Sequence, residues 1–277
     1  MIEVNSQPLT GSPWRVHVSH RYKRLFSFGS FGKGEGRFAT PSGIAINDTT
    51  GNIAVADSEN NRVQLFSSEG KHLKTISAKD LIQPTSVGFT GSGDLIVIAI
   101  YKIFRFNESG KFVKHITNKH LKLPYQLTIA RDGRMVVSDR GDNAVKVLTP
   151  DGSQLLLTIN DPDRGLPHCA VCHQDMFVVS CSYVPNVKIF SKDGVFLYSI
   201  DGPGSGAEEQ LNFPSGLTTD RFSNLVVCHT SRLKRFTIDG KLVGTAEGLL
   251  VPWSAAVSNN GRLFVTDVEK HCVYVFE

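Results

Sequence analysis

The residues with the most obvious chemical potential lie in one short run. Cys169, Cys172 and His173 match the attachment pattern of c-type haem, in which two thiols bind one porphyrin. We place the run on a β-strand, where residues three apart point to opposite faces, so both thiols cannot easily serve one ligand. No second Cys-x-x-Cys pair completes a zinc site. We therefore predict that the cysteines are buried small hydrophobic residues rather than ligands.

A glycine-rich run, Gly202-Pro203-Gly204-Ser205-Gly206, is the other local pattern with a chemical reading. It hints at a phosphate-binding loop, but a P-loop continues into a Lys and a helix, and neither follows here. We predict a flexible connection between structural elements.

Composition bounds the class of protein. The chain has 277 residues, of which 40% are hydrophobic and 20% charged, so it is not a disordered chain. No run approaches 18 uninterrupted apolar residues, so no membrane partner or membrane-spanning helix is predicted. The first residues lack a signal peptide pattern, and the cysteine count of five is odd, so we expect a reducing, cytoplasmic location. The net charge of +4 permits a polyanionic partner without requiring one.

The elements that must position any site come from a sixfold internal repeat. Each copy has a proline, a β-branched run after a turn, an alternating run such as Val145-Lys146-Val147-Leu148, and an Asp-Gly or Glu-Gly turn. The steps between successive prolines are 43, 40, 43, 47 and 38 residues. The copies begin at Pro41, Pro84, Pro124, Pro167, Pro214 and Pro252.

Each copy reads as four strands, which is typical of a propeller blade, and no segment longer than about 12 residues has helical periodicity. The sixth copy ends after its third strand, at Phe276. Residues Tyr22–Gly29 resemble the missing fourth strand, and pairing them with the last blade would remove two open sheet edges. The sequence therefore predicts an all-β, six-bladed β-propeller over residues 21–277, closed by its N-terminal strand.

The blades resemble NHL repeats. The resemblance rests on Phe38–Ala45, on Gly51–Asp57 and on Asn61–Phe66, with glycine-rich inter-blade loops at 29–38 and 202–213. Blades one, three and six match the pattern well, whereas two, four and five are degenerate. Residues 9–18 are similar to the last strand of a filamin-type immunoglobulin domain, although an ordinary leader strand is an equal alternative for residues 1–20.

A filamin domain followed by an NHL propeller is the arrangement of tripartite-motif (TRIM-NHL) ubiquitin ligases. The resemblance implies that the propeller is the recognition end of such a protein, using one face to hold RNA or a protein partner. Ubiquitin transfer, and contact with the ubiquitin-conjugating machinery, would belong to a RING domain whose cysteine spacing is not found in this sequence.

An enzyme is the alternative function. Propeller hydrolases and lyases hold an axial calcium or zinc ion with carboxylates, Asn or His. The residues after the blade prolines should lie near the axis, and they include one histidine and no carboxylate. His168 and His229 would be the best metal ligands. The recurring Asp57, Asp139 and Asp267 are expected to accept hydrogen bonds from loops. No cofactor and no metal are therefore predicted.

The predicted site is one face of the propeller, where the loops between second and third strands meet the inter-blade loops. Basic, amide and aromatic side chains interleave there, which suits phosphate contacts combined with base stacking. Acidic residues such as Glu59, Asp142 and Glu269 share this face, so a merely solvated surface is an alternative. RNA is preferred over a protein ligand. The candidate residues are Arg62, Tyr101, Lys102, Lys119, His120, Lys122, Tyr125, Arg140, Asn143, His168, Tyr183, His229, Arg232, Trp253, Lys270 and His271.

Overall fold

The computed structural model describes residues 22–200 and 210–277, which form six four-stranded antiparallel sheets. Over these residues the only helical element is a single 3₁₀ turn, Ser58–Asn60. The predicted all-β six-bladed propeller is confirmed. The leader of residues 1–20 and the glycine-rich run 202–206 lie outside the described residues, so the predictions made for them stay predictions.

The strands repeat in the same order in every blade. Six inner strands line the axis: β2 (Pro41–Ile46), β6 (Pro84–Phe89), β10 (Pro124–Ile129), β14 (Pro167–His173), β18 (Pro214–Thr219) and β22 (Pro252–Val257). The second strands are β3 (Ile53–Asp57), β7 (Leu95–Ala99), β11 (Met135–Asp139), β15 (Met176–Cys181), β19 (Leu225–His229) and β23 (Leu263–Asp267). The third strands are β4 (Arg62–Phe66), β8 (Lys102–Phe106), β12 (Ala144–Leu148), β16 (Asn186–Ser191), β20 (Arg232–Phe236) and β24 (Cys272–Phe276). The outer strands are β5 (His72–Ile76), β9 (Phe112–Ile116), β13 (Leu155–Asn160), β17 (Phe196–Ile200), β21 (Leu242–Ala246) and β1 (Arg24–Phe28).

The N-terminal strand closes the ring. β1 pairs antiparallel with β24, with Phe26 opposite Val275 and Phe28 opposite Val273. Backbone hydrogen bonds of 3.0 Å in both directions between Lys23 and Glu277 extend this pairing by one residue. The sixth blade thus takes its outer strand from the other end of the chain, as the incomplete sixth repeat predicted.

The core lies between blades rather than inside one sheet. Each of the six buried apolar clusters joins residues of two neighbouring blades, for example Ala54 and Val63 of blade one with Val97 and Phe104 of blade two. A second strand is therefore covered on both faces, and all five residues of β3 are buried. Burial on both faces explains why these strands are runs of β-branched residues instead of alternating ones.

In blades one and five, glycine at the third position of the inner strand is required by crowding at the axis. A Cβ placed on Gly43 would lie 2.6 Å from the Cα of Ser86, and one placed on Gly216 would lie 2.6 Å from the Cα of Ser254. Because those contacts are with backbone atoms of the next blade, a side chain there would force the inner strands apart. This explains the Pro-Ser-Gly phrase in blades one and five.

Candidate functional site

We define the loop face as the hairpins between second and third strands together with the inter-blade loops. In the structure these loops lie together on one face of the ring. Antiparallel pairing sets Pro41 opposite Asp57, and Asp57 opposite Arg62. The beginning of an inner strand, the end of the second and the beginning of the third therefore lie at one edge of each blade. The inter-blade loop enters at the same edge, so the predicted residues share one face of the ring.

Buried carboxylates hold this face in the three blades that match the repeat best. Asp57 accepts the backbone N–H of Ala39 at 2.7 Å, Asp139 those of Lys122 and Leu123, both at 2.8 Å, and Asp267 that of Leu250 at 2.6 Å. All three carboxylates are fully buried. They act as loop-capping hydrogen-bond acceptors, as the sequence predicted.

Blades four and five hold their loops by other means. In blade four the carboxylate comes from the loop itself, where Asp161 accepts the N–H of Gly165 at 2.8 Å and pairs with the fully buried Lys188. Burial opposes the charge on Lys188, but hydrogen bonds to Asp161 and Asp163 outweigh it and raise the pKa of the amine. In blade five, Nδ1 of His229 accepts the N–H of Asn212 at 2.9 Å.

Three rings from the inner strands meet at the axis, and we call this set the ring plug. His168 lies edge-on between Tyr125 at 5.3 Å and Trp253 at 5.1 Å, measured between ring centroids. The His168 side chain is only 3% exposed, and among the described residues neither ring nitrogen has a hydrogen-bond partner within 3.5 Å. Burial, with the nearby charge of Arg140, lowers the pKa of His168 to about 3, a drop that a backbone group of Ser215 only partly offsets, so the ring is neutral at pH 7.

Arg140 covers the ring plug on the side of the loop face. Its guanidinium carbon lies 3.2 Å from the centroid of the Tyr125 ring, which is a cation–π contact. Within residues 22–200 and 210–277 no carboxylate makes an ion pair with it. Burial lowers the pKa of Arg140, yet a guanidinium keeps its charge at neutral pH. The structure thus holds a partly desolvated cation that is stacked on an aromatic ring and has no carboxylate partner in the described part of the chain.

Several of the predicted site residues are already engaged. Arg62 contacts Asp57 at 2.8 Å and donates to the carbonyl oxygens of Lys33, Gly34 and Arg37, so it holds the inter-blade loop. His168 and His229 are buried, and neither faces solvent as the prediction required. His271 accepts the N–H of Thr40 at 3.2 Å. These four are structural in this arrangement, because their polar atoms or their surfaces are used within the fold.

Of the remaining predicted residues, Tyr125 and Trp253 belong to the ring plug, and the others lie on the loop face. Three of their basic side chains have a carboxylate partner: Lys102 with Asp80 at 3.3 Å, Lys122 with Asp142 at 2.5 Å, and Arg232 with Glu247 at 3.9 Å. Tyr101 is 55% exposed and Tyr183 is 80% exposed. The others, which are exposed or half-buried, are Lys119, His120, Tyr125, Arg140, Asn143, Trp253 and Lys270.

The charge on the face is not evenly distributed. The loops entering and crossing blades two and three carry five bases and two carboxylates: Lys79, Lys102, Lys119, Lys122 and Arg140 with Asp80 and Asp142. The described loops of blades five and six, 230–232, 247–251 and 268–271, carry two of each: Arg232 and Lys270 with Glu247 and Glu269. We call the first region the basic sector. The sequence predicts one site over the whole face, whereas the structure concentrates positive charge on one side of it.

A pocket that the sequence did not reveal opens in the basic sector. It has a volume of about 340 Å³ and lies between the hairpin of blade two and the loop leading to blade three. Its walls are Ile103, Ile116, Leu121 and Pro124, and its rim is Tyr101, Lys102, His115, Thr117 and Asn118. We call it the blade-two pocket. Its apolar residues come from three strands and the loop that leads to the last of them, so no local sequence pattern marks it.

The alternative chemistries find few supporting groups. All five cysteines are free, and burial raises the pKa of both Cys169 and Cys172 to about 11, so both are protonated thiols at pH 7. Within the described ranges no group of three or more His, Cys, Asp or Glu side chains could hold a metal ion. The same ranges contain no helix that is long and apolar enough to cross a membrane.

Comparison with known proteins agrees with the repeat reading. Residues 38–66 and 249–276, which lie in blades one and six, match the NHL repeat. Protein brain tumor of Drosophila melanogaster is 32% identical over 146 residues, covering 49% of this chain and 14% of the relative. B-box type zinc finger protein ncl-1 of Caenorhabditis elegans is 29% identical over 128 residues, covering 42% and 15%. The matched part of the chain therefore spans only about a seventh of the length of these curated relatives.

Solved structures share the fold. A streptogramin B lyase superimposes with a TM-score of 0.69 and 11% identity, over 90% of this chain and 96% of the other. A gluconolactonase from Xanthomonas campestris gives 0.71 and 18%, over 87% of each chain. At such low identity these similarities establish the architecture alone.

Proposed function

We propose that this NHL-repeat propeller is a non-catalytic recognition module that binds single-stranded RNA through the basic sector of its loop face. The observation that carries the proposal is Arg140, a half-buried guanidinium stacked on Tyr125 with no carboxylate partner in the described part of the chain. Partial burial of a cation is unfavourable unless an anion or a ring compensates it. A phosphate would supply the missing anion, and the other face of the guanidinium would stack on a base.

The rest of the sector fits the same ligand. Lys119 is exposed and has no acidic partner among the described residues, so it is available to a second phosphate. Tyr101 presents an exposed ring close to Arg140, and stacking on aromatic rings is the usual way in which proteins hold unpaired bases. The ring plug beneath is rigid because its three rings pack edge to face. A rigid platform loses little conformational entropy on binding, and most of its cations need not break an ion pair first.

We propose further that this module belongs to a protein of the tripartite-motif type that acts in the cytoplasm as a post-transcriptional regulator or ubiquitin ligase. The support is the NHL match, the similarity to protein brain tumor, and the similarity to a relative described as a B-box type zinc finger protein. In such a protein the propeller selects the target, and any ubiquitin transfer belongs to other domains.

A protein partner is the second candidate, and one observation favours it. Tyr183 and Val184 lie at the tip of the blade-four hairpin, where they are 80% and 36% exposed. Exposed aromatic residues on a rigid loop are typical anchors of protein interfaces. This tip lies outside the basic sector, so a protein and an RNA could use different parts of one face.

Filter binding with a random pool of short single-stranded RNA tests the RNA proposal. We expect an affinity that falls steeply with salt, because released counterions drive binding. Arg140→Gln should weaken binding about 5- to 20-fold and reduce the salt slope by about one. Lys270→Gln, on the same face but outside the basic sector, should change the affinity less than about twofold. Equal losses in both variants, or binding that is flat with salt, would refute the proposal.

A further inference from the structure

We propose that the blade-two pocket holds one unpaired base of the bound RNA, with the Tyr101 ring at its rim stacking on that base. This inference rests on the proposed function and names the place where the strand is read rather than merely attracted. The pocket volume of about 340 Å³ falls within the roughly 300–1,000 Å³ typical of sites that hold small molecules. It opens within the basic sector, so a strand on that sector passes its mouth.

The pocket lining suits a flat ligand with polar edges. The walls are aliphatic, from Ile103, Ile116 and Leu121, which suits the faces of a base. At the rim, Lys102 and the exposed Thr117 carry polar groups. A base edge offers both donors and acceptors and so can hydrogen-bond with these side chains. An aliphatic side chain offers neither, so it would cover the polar groups of the rim without pairing them, which is unfavourable.

The turn that presents Tyr101 is held in a backbone conformation that its residues disfavour. Ile100 has φ +37° and Tyr101 φ +61°, in a two-residue hairpin closed by Ala99 and Lys102. Such turns prefer Asn-Gly, and positive φ in a β-branched residue is uncommon. Both side chains nevertheless project into solvent, 44% and 55% exposed. Strain of this kind concentrates at binding sites, where a surrounding structure maintains it.

The equivalent hairpin of blade five shows that the turn itself does not require apolar residues. It also has two residues between its strands, since His229 pairs with Arg232, and Thr230 has φ +39°. Its tip is Thr230-Ser231, which is polar. Of these two hairpins with two-residue tips, only that of blade two has an apolar, aromatic tip, and it lies beside the pocket.

The test fills the pocket without removing a charge. Thr117 is exposed on the rim, so Thr117→Phe should occupy the pocket, with Thr117→Ser as the matched control. For a random pool of short single-stranded RNA we expect an affinity loss of about fivefold or more in Thr117→Phe. The salt slope should stay unchanged, because the phosphate contacts remain. Tyr101→Ala should give a similar loss and Tyr101→Phe little loss.

A second measurement uses free ligands. Saturation-transfer NMR with uridine and adenosine monophosphates should show ring-proton signals in the natural protein and in Thr117→Ser, and none in Thr117→Phe. Melting curves establish that each variant is folded. RNA affinity that is unaffected by Thr117→Phe, with no nucleotide signal, overturns the pocket while leaving the proposed function standing. A nucleotide signal without binding of the RNA pool supports the pocket as a base-binding site and overturns the proposed function. Transfer to phenylalanine amide alone identifies a protein side chain as the occupant and overturns the proposal.

Discussion

Blades three and six share a frame and differ in what they display. Each begins with a proline followed by an aromatic ring at the axis, Tyr125 in one and Trp253 in the other. Each ends its second strand with a fully buried Asp that caps the inter-blade loop. Yet Arg140 follows the Asp in blade three and stacks on Tyr125, whereas in blade six Val268 and Glu269 follow.

The comparison separates two kinds of position. Those that recur in register hold the loops and the ring together, and they are buried. The positions immediately beside them are free to vary, because they face solvent on the loop face. A surface for recognition can therefore change from blade to blade without disturbing the propeller. Blade six instead has a structural task of its own, since it joins the two ends of the described chain.

The largest effect is expected from removing β1, the strand with which blade six closes the ring. Deleting residues 1–29 takes β1 from blade six, exposes the edge of β24 and removes Leu25, Phe26 and Phe28, which pack on the core between blades six and one. Each of these side chains contributes roughly 2 kcal/mol, against a total stability of about 5–15 kcal/mol. We expect aggregation or a large fall in melting temperature.

The matched control removes residues 1–18 only and leaves every described strand in place. Its melting curve should be close to that of the whole chain. If the longer deletion also melts normally, the closing strand does not stabilise the ring, and the account of blade six is wrong.

The next largest effect is expected from replacing the buried Asp that blades three and six share. Asp139 faces the buried Lys146 at 3.2 Å in addition to its loop N–H groups, whereas the third-strand residue of blade six at that position is Tyr274. Asp139→Ala would leave a buried amine with less compensation, so we expect a loss of about 3–5 kcal/mol. Asp267→Ala loses loop hydrogen bonds alone, about 1–3 kcal/mol. Urea unfolding of both variants measures the difference, and equal losses would contradict it.

The smallest expected effect concerns the histidine on which both axial rings pack. Because the folded pKa of His168 is about 3, below the ordinary 6.5, the unfolded chain binds a proton that the folded chain excludes between those values. The contribution of the neutral His168 ring to the free energy of unfolding is fully present above pH 6.5. It falls by about 1.4 kcal/mol per pH unit as the pH drops towards 3. Urea unfolding at pH 7, 6 and 5 should show a shallower decline in His168→Gln than in the natural protein. Parallel declines would mean that His168 protonates readily in the folded state.

The sequence determined the frame of this protein. Six copies in register, an incomplete last copy and an unassigned strand near the start were sufficient to predict the blade count and the closure, because each strand is a local pattern. The capping Asp residues were equally readable, since they recur. The common face of the candidate residues also followed, because antiparallel order alone fixes which ends of the strands meet.

Only the tertiary structure decided which of those residues are available for a ligand. Arg62 and His229 are predicted from the sequence to bind a ligand at the surface, but their polar atoms are used inside the fold. In an alternating strand a lysine such as Lys188 is expected to face solvent, but it is fully buried. Arg140 is distinctive only in the folded structure, where its guanidinium lies on Tyr125 with no acidic partner among the described residues. The blade-two pocket is formed by residues from separate elements. Pairing, burial and cavities depend on contacts between distant residues, which a repeat pattern does not encode.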